Sequence, residues 1–228
     1  ATQPVAPFKR PAVFHTAEIR WFVEGTPDAD ILRWLNESEL AVEEAPRVDT
    51  YLLLPGCTTC GVKIRQGHFE IKAQTSAPEA VESNNGIAGN RGSWVKWSSG
   101  LAGAQLLQER QGPETWVQVE KSRRLRLFAL SGEIQEMPAG EWLSGAGCFV
   151  ELASLRFAGE GDDWGAAASW WSVCLEAFGP ADKVRQHVDA VASSGWLHPI
   201  ASALPPTCSM SYPEWLSRPV ANMLELPQ

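Results

Sequence analysis

The stretch Gly61-Val62-Lys63-Ile64-Arg65-Gln66-Gly67-His68-Phe69-Glu70-Ile71-Lys72 is the most informative part of this 228-residue chain. It reads as two short strands with a glycine turn between them. Because side chains alternate between the two faces of a strand, Lys63 and Arg65 share one face of the first strand. Glu70 and Lys72 do the same on the second strand. A buried charge needs a partner, so this face must contact water or line a polar cavity that holds an anion.

The same two-residue spacing of charge recurs in other strand-like segments. In a closed antiparallel barrel every strand sends alternate side chains inward, so these charges would line a polar tunnel. Cations in such a tunnel can hold phosphate oxygens, and carboxylates can hold a divalent metal ion. The alternative is a half-exposed sheet with solvated charges opposite an apolar core face. The further charged positions are Glu18 and Arg20, Arg47 and Asp49, Lys121 and Arg123, Glu151, and Glu176.

Strands dominate the predicted secondary structure. We expect them at 16–24, 47–55, 94–97 (alone or as the edge of a longer strand), 116–130, 147–157 and 169–178, and we expect a loop over 75–92. Helices are predicted near 27–38, with Thr26 as N-cap, and over 181–194, with Gly195 as the stop. Ser211 and Glu214 have the spacing of a capping box for a last short helix.

These elements predict an α+β fold that is mainly antiparallel β. We expect a flexible N-terminal lead-in over residues 1–14 and a single domain over 15–228. The barrel would occupy about 15–180, and a C-terminal helical segment would occupy 181–228.

Composition excludes several functional classes. Net charge is −8 and the pI is about 5.1, which argues against binding to nucleic acid or to an anionic membrane. We find no apolar run near the roughly 20 residues of a membrane span. Five cysteines are too few for a disulfide scaffold and favour a reducing, cytoplasmic location. The Cys57 and Cys60 pair fits a hairpin loop better than a zinc or redox site. No second Cys or His pair has the spacing of a zinc knuckle, and strand-like sequence lies on both sides of the pair, where a redox motif would open a helix.

The ordered series of charged motifs resembles the CYTH, or triphosphate tunnel metalloenzyme, superfamily over residues 15–180. This resemblance implies an eight-stranded antiparallel tunnel with peripheral helices. Members of the family bind triphosphates or other polyphosphates, and commonly hydrolyse or cyclise them with Mg²⁺ or Mn²⁺. The matching segments are Glu18-Ile19-Arg20, Arg47-Val48-Asp49-Thr50-Tyr51-Leu52, Gly61-Val62-Lys63-Ile64-Arg65, Glu70-Ile71-Lys72, Lys121-Ser122-Arg123-Arg124, Val150-Glu151-Leu152 and Leu175-Glu176-Ala177.

The resemblance also implies roles for individual residues. Glu18, Glu151 and Glu176 would hold the metal ion, Mg²⁺ or Mn²⁺, and Glu151 and Glu176 would be catalytic. The phosphate-binding residues would be Lys63, Arg65, Lys72, Lys121 and Arg123. On the strand predicted at 116–130 a shift of one residue would instead turn Arg124 and Arg126 inward.

The chain departs from the family pattern in its acidic half. The family opens with Glu-x-Glu-x-Lys, but here Arg20 stands at the second Glu and Phe22 at the Lys. Ala153 stands where an acid would follow Glu151. Since a catalytic metal on phosphates needs hard oxygen ligands, these changes remove expected supports for the ion.

The tryptophans and the two histidines His15 and His68 leave alternative roles open. The 11 tryptophans could stack on a base or sugar, or pack the outer face of the barrel against helices. Neighbouring Trp170 and Trp171 must point to opposite faces, so at most one of them faces the tunnel. His15 and His68 fit surface positions better than a ligand or base role.

Three functions therefore fit the sequence. The first is a divergent, divalent-metal-dependent phosphohydrolase with weak activity. The second is an inactive tunnel that binds a triphosphate, a polyphosphate or another phosphorylated small molecule. The third is a catalytically inactive scaffold or protein-interaction module that keeps only the fold. We expect binding of a phosphorylated anion in a basic tunnel to be the common property of the first two.

Overall fold

A computed structural model of the chain describes residues 12–100, 116–130, 132–139, 146–158 and 169–224. These residues form an α+β fold that is mostly sheet. The elements are β1 (Ala12–Glu24), α1 (Ala29–Asn36), β2 (Val42–Leu52), β3 (Cys60–Arg65), β4 (His68–Glu82), β5 (Ala88–Gly100), β6 (Trp116–Ala129), β7 (Gln135–Met137), β8 (Gly147–Ala158), β9 (Trp170–Phe178), α2 (Val184–Ala192), two 3₁₀ helices (Gly195–Ala203 and Pro206–Cys208) and α3 (Tyr212–Leu224).

Eight of these strands close into an antiparallel barrel. Their order is β2-β3-β4-β5-β1-β9-β8-β6, and β6 pairs back with β2 along most of its length. The short strand β7 pairs with the end of β6, beyond the residues that β2 covers. The predicted eight-stranded antiparallel barrel is therefore confirmed, with a ninth strand attached to it.

The main hydrophobic core lies outside the barrel, between its wall and the helices. The wall contributes alternate residues of β1 and β9, such as Ile19, Trp21 and Leu175, all with 0% exposure. Helix α2 packs an apolar stripe on this wall, and helix α1 packs its own stripe against the 3₁₀ helix Gly195–Ala203, as their helical spacing predicts. The stripes consist of Ile31, Trp34 and Leu35 in α1 and of Val184, Val188 and Val191 in α2.

One end of the barrel interior is apolar and is filled by the start of α3. The Trp215 ring stacks on Phe22 with centroids 4.7 Å apart and on Phe157 at 4.9 Å. The Tyr212 ring stacks on Tyr51 at 4.7 Å. The C-terminal helix therefore closes this end of the barrel.

A close backbone contact brings the chain to this end. The Ser209 hydroxyl accepts a hydrogen bond from the Asn90 backbone at 2.7 Å, and the Met210 backbone donates to the Arg20 carbonyl at 3.0 Å. A Cβ at Gly89 would lie 2.6 Å from that hydroxyl, so only glycine fits without a shift. The segment thus passes between β1 and β5 where the two strands separate.

Several sequence predictions need correction. The expected loop over 75–92 is wrong, because β4 and β5 stay paired out to Glu82 and Ala88. Residues 12–14 belong to β1 rather than to a lead-in, while residues 1–11 and 225–228 lie outside the described part of the chain. Helix α1 is capped by Asp28, not Thr26, because the Asp28 side chain accepts from the Asp30 backbone at 2.7 Å. Helix α2 ends at Ala192 with Ser193 as its C-cap, and Gly195 instead begins a 3₁₀ helix.

The predicted capping box of α3 is confirmed. The Ser211 hydroxyl accepts from the Glu214 backbone at 3.3 Å, and the Glu214 carboxylate accepts from the Ser211 backbone at 3.4 Å. None of the helices in the described part of the chain has both the length and the apolar composition needed to span a bilayer.

Candidate functional site

The middle of the barrel interior is a polar cavity of about 120 Å³, called here the cationic cavity. Every residue that the sequence assigned to phosphate, metal or catalysis lines it, although these residues come from six different strands. They are Glu18, Lys63, Arg65, Lys72, Lys121, Arg123, Glu151 and Glu176. The structure brings these side chains together, and their roles remain predictions.

Strand alternation explains why these side chains meet. In β6, Lys121 and Arg123 line the cavity, so the alternative with Arg124 and Arg126 inside is not observed. Arg124 donates to Asn36 outside the barrel at 2.5 Å. The Arg126 guanidinium lies over the ring of Trp34 in α1, 3.9 Å from its centroid.

Positive charge exceeds negative charge in this cavity. Eight Lys and Arg side chains line it, against the four carboxylates of Glu18, Glu70, Glu151 and Glu176. Two more carboxylates, Glu44 and Asp49, bond to these cations without lining the cavity. In a protein of net charge −8, this is a local concentration of positive charge. The eight cations are Arg20, Arg47, Lys63, Arg65, Lys72, Lys96, Lys121 and Arg123.

Glu151 is the centre of the most buried charge cluster. Its carboxylate accepts from Lys121 at 2.8 Å, from Arg123 at 2.8 Å and from Arg20 at 3.2 Å. Burial alone would raise the pKa of Glu151, but Lys121, Arg20 and Arg123 outweigh it and hold that pKa well below its usual range. Burial lowers the pKa of Lys121 despite Glu151. Glu151 is therefore an ionised carboxylate shared by three cations.

A second cluster forms around Glu70 on the β3 and β4 side. Glu70 pairs with Arg65 at 2.7 Å, with Lys63 at 3.3 Å and with Lys96 at 3.4 Å. Lys63 also lies 3.4 Å from Asp49. Burial outweighs both carboxylates and lowers the pKa of Lys63 to about 8. Lys63 is thus a cation whose charge changes close to neutral pH.

A third cluster joins β1, β4 and β9. Glu18 and Glu176 face each other across the β1–β9 pair, and the Lys72 ammonium bridges them at 2.6 Å and 3.0 Å. Burial opposes the charge of Glu176, but Lys72 and Lys96 outweigh it and hold the pKa of Glu176 at about 2. The Lys72 ammonium also lies 5.6 Å from the centre of the Trp94 ring.

This donor set does not fit a divalent cation as it stands. Both oxygens of Glu151 accept from cations, and Glu18 and Glu176 are joined by an ammonium. Among the described residues, no three His, Cys, Asp or Glu side chains are grouped closely enough to hold a metal ion. A metal ion bound by Glu18, Glu151 and Glu176 would require Lys72 and the Glu151 partners to move away. The metal prediction is therefore an expectation from the resemblance alone.

Residues that depart from the family pattern contact the C-terminal segment. Arg20 lies over the Tyr212 ring, 5.6 Å from its centroid, and Phe22 stacks on Trp215. Ala153 belongs to the same apolar cluster as Phe22. At these positions the interior packs against α3 where the family pattern has an acid or a lysine.

Sequence reasoning missed Lys96, Trp94 and Tyr212 as cavity residues. Trp94 and Lys96 are two apart in β5, so the spacing used for the other strands could have found them. Tyr212 could not be found in this way, because nothing local shows that α3 enters the barrel.

The remaining candidates lie away from the cavity. His15 and His68 are exposed, as predicted. Trp170 packs against Trp215 on the interior side and Trp171 lies in the outer core, so only one of the pair faces inward. Cys57 and Cys60 are free thiols in and after the β2–β3 loop.

Comparisons with protein-family models, curated proteins and solved structures found no match to this chain. The CYTH resemblance therefore remains a hypothesis carried by the ordered motifs.

Proposed function

We propose that the cationic cavity binds a phosphorylated small molecule or a short polyphosphate anion. The observation that carries this proposal is the excess of cations over carboxylates on one enclosed surface of an acidic protein. An enclosed site with low-dielectric walls strengthens the attraction of an anion and concentrates it from solution. The CYTH resemblance supports the same ligand class.

The exposure of the side chains indicates where the anion would bind. Five cations keep 20–27% of their side-chain surface exposed, whereas Arg20 and Lys121 keep only 6–8%. The anion would therefore meet the more exposed set and leave Glu151 with Lys121 and Arg20 in place as support. This set is Lys63, Arg65, Lys72, Lys96 and Arg123.

Charge-assisted hydrogen bonds to phosphate oxygens explain how these side chains would hold the ligand. Arg65 and Arg123 carry planar guanidinium groups that can bind two oxygens at once, while the lysines act as point charges. Glu70 and Glu176 keep the cations ordered before the ligand arrives. Such pre-organisation reduces the entropy lost on binding.

Weak metal-dependent hydrolysis is a further proposal, and it rests on the family resemblance. It would depend on Glu151 and Glu176. Binding an anion in the ground state does not by itself accelerate its hydrolysis, since acceleration needs groups that grip the transition state more tightly. Loss of any activity in Glu151→Gln and Glu176→Gln and in EDTA would support this proposal. Hydrolysis that persists in all three would contradict it.

The scaffold alternative is favoured by one observation. Each of the eight cavity cations already has a carboxylate partner within 3.4 Å, so the charges can satisfy one another without a ligand. In that case the interior would be a structural ion network, and binding would occur on the outer surface.

Thermal unfolding with added anions separates these functions. Wild type and Lys72→Ala are compared in pyrophosphate, tripolyphosphate, nucleotides and sulfate, with chloride at equal ionic strength as control. Each anion is tested in EDTA and with Mg²⁺ or Mn²⁺. We expect stabilisation in EDTA that Lys72→Ala weakens. A metal requirement would favour the enzyme, and the absence of stabilisation by any anion would favour the scaffold.

A further inference from the structure

The barrel interior contains a second cavity of about 150 Å³ beside the cationic cavity. The two cavities share three lining residues, Glu18, Arg20 and Trp94. The second cavity opens to solvent at exposed residues such as Thr59 and Asn90, and it is called here the vestibule. The shared residues therefore form the boundary between a surface opening and the proposed anion site.

Trp94 is the bulky part of this boundary and is held firmly in place. It is 2% exposed, and the Lys72 ammonium lies 5.6 Å from its ring centre on the cationic side. Its indole lies against the backbone of Gly92, where a Cβ would come within 2.6 Å of the indole nitrogen. Because Gly92 lines only the vestibule of these two cavities, the indole separates them.

The charge of the vestibule is opposite to that of the cationic cavity. Its ionisable lining residues are Arg20, Glu18 and Glu214, so it carries one more negative charge than positive charge. The Glu214 carboxylate is fixed there by the capping box of α3. A phosphate group extended into the vestibule would meet two carboxylates rather than a cluster of lysines.

The size of the cationic cavity limits what it can hold. At about 120 Å³ it is smaller than the roughly 300–1,000 Å³ of most small-molecule sites. It therefore suits a compact anion of one or two phosphate groups, and a chain that extends from it toward the vestibule would have to displace Trp94. On the side of α3, Tyr212 and Leu216 line the cavity and close it.

We propose that Trp94 is a specificity-determining residue that blocks the path from the cationic cavity to the vestibule, so that the site contacts one or two phosphate groups and gains little from a triphosphate or a longer chain. This inference rests on the proposed function, since it names the ligand class of the same site. An open tunnel would bind longer phosphate chains more tightly, because their charge grows with length. With Trp94 as a wall, the affinity is expected to stop rising after two phosphate groups.

The test is a titration series by calorimetry in EDTA at constant ionic strength, with orthophosphate, pyrophosphate and tripolyphosphate. In wild type we expect tripolyphosphate to bind no more than about threefold more tightly than pyrophosphate. In Trp94→Ala the space of the indole beside Lys72 joins the cationic cavity, and we expect the preference for tripolyphosphate over pyrophosphate to rise at least about threefold above its wild-type value. Trp94→Phe keeps an aromatic wall and is expected to behave as wild type.

Glu214→Gln is an independent test variant. It leaves Trp94 and the capping box of α3 in place, since Gln can replace Glu at this position of the capping box. With the wall in place we expect it to leave the affinities for both pyrophosphate and tripolyphosphate unchanged, because neither anion reaches the vestibule. Selective tightening of tripolyphosphate would show that the chain passes Trp94 and would overturn the inference. If Trp94→Ala fails to fold, the wild-type series and Glu214→Gln decide the question.

A wild-type affinity that rises tenfold or more from pyrophosphate to tripolyphosphate would overturn the role of Trp94 while leaving anion binding intact. An unchanged order of affinities in a folded Trp94→Ala variant would do the same. Failure of all three anions to bind wild type would overturn the proposed function and this inference together.

Discussion

Replacing Glu151 by Gln is expected to lower the free energy of unfolding by about 3 kcal/mol at pH 7. The Glu151 side chain is 8% exposed and accepts from Lys121 and Arg123 at 2.8 Å and from Arg20 at 3.2 Å. Removing one partner of a buried ion pair costs about 3–5 kcal/mol, because the other charge is left uncompensated.

The lower end of that range applies to this substitution. Gln keeps an acceptor oxygen, Arg123 keeps its bonds to Glu44 at 2.5 Å, and Arg20 keeps a bond to Ser172 at 3.3 Å. Lys121 loses most, because among the described carboxylates it bonds to Glu151 alone. For a chain of this length, about 3 kcal/mol corresponds to a fall in Tm of about 6–12 °C.

Glu120→Gln is the matched control for this change. Glu120 pairs with Arg156 across the same two strands, β6 and β8, but the side chains are 43% and 61% exposed. Exposed pairs contribute up to about 1 kcal/mol, so the control should lose less than about 4 °C. Thermal unfolding by circular dichroism measures both variants. Equal Tm values for the two variants would refute the view that Glu151 compensates a buried cationic cluster.

The pH dependence of the Glu151 effect has a definite sign. Its pKa in the folded protein lies well below the ordinary 4.5, because the three cations outweigh burial. The carboxylate therefore contributes its full stability above about pH 4.5 and loses it as the pH falls through the folded-state pKa. The difference in Tm between wild type and Glu151→Gln should narrow below that pH.

Three further predictions concern the ligand and the C-terminal helix. Lys72→Ala should weaken pyrophosphate binding by about 1–3 kcal/mol in calorimetry, because a charged hydrogen bond is lost, and an unchanged affinity would place the ligand elsewhere. The Lys63 pKa of about 8 predicts that the affinity for pyrophosphate falls from pH 7 to pH 9, because the ammonium loses its proton. Lys63→Arg stays charged and should remove this fall. Trp215→Ala should lower the free energy of unfolding by about 3–5 kcal/mol in urea titrations, since Trp215 is 1% exposed and stacks on two rings; a loss below about 1 kcal/mol would contradict the closure of the barrel by α3.

Much of the barrel could be predicted from the sequence, because the alternation of charged side chains along a strand is a local pattern. The charged pairs in β3 and β6 can be assigned to the barrel interior only if the opposite face of each strand is apolar. Ile64 and Leu125 show that this alternation of apolar and charged residues is imperfect. Both are buried, yet Ile64 alternates with the charges whereas Leu125 lies on their own face of its strand. The choice of inward face thus depended on the whole series of strands.

Other features depend on contacts between distant residues. The local sequence predicts a loop where the hairpin of β4 and β5 lies, because small polar residues such as Ser83 and Asn84 are typical of turns. The pairing of Glu79 with Arg91 extends the strands. The closure of β2 on β6 joins segments about 70 residues apart, and no local pattern shows it.

Anion binding in the barrel interior can be tested by locating a bound anion. Crystals grown with tungstate, a tetrahedral dianion with strong anomalous scattering, would show its position without any assumption about the ligand. We expect an anomalous peak inside the barrel, within hydrogen-bonding distance of Lys72 or Arg123. Peaks confined to the outer surface, with none in the cationic cavity, would contradict this expectation.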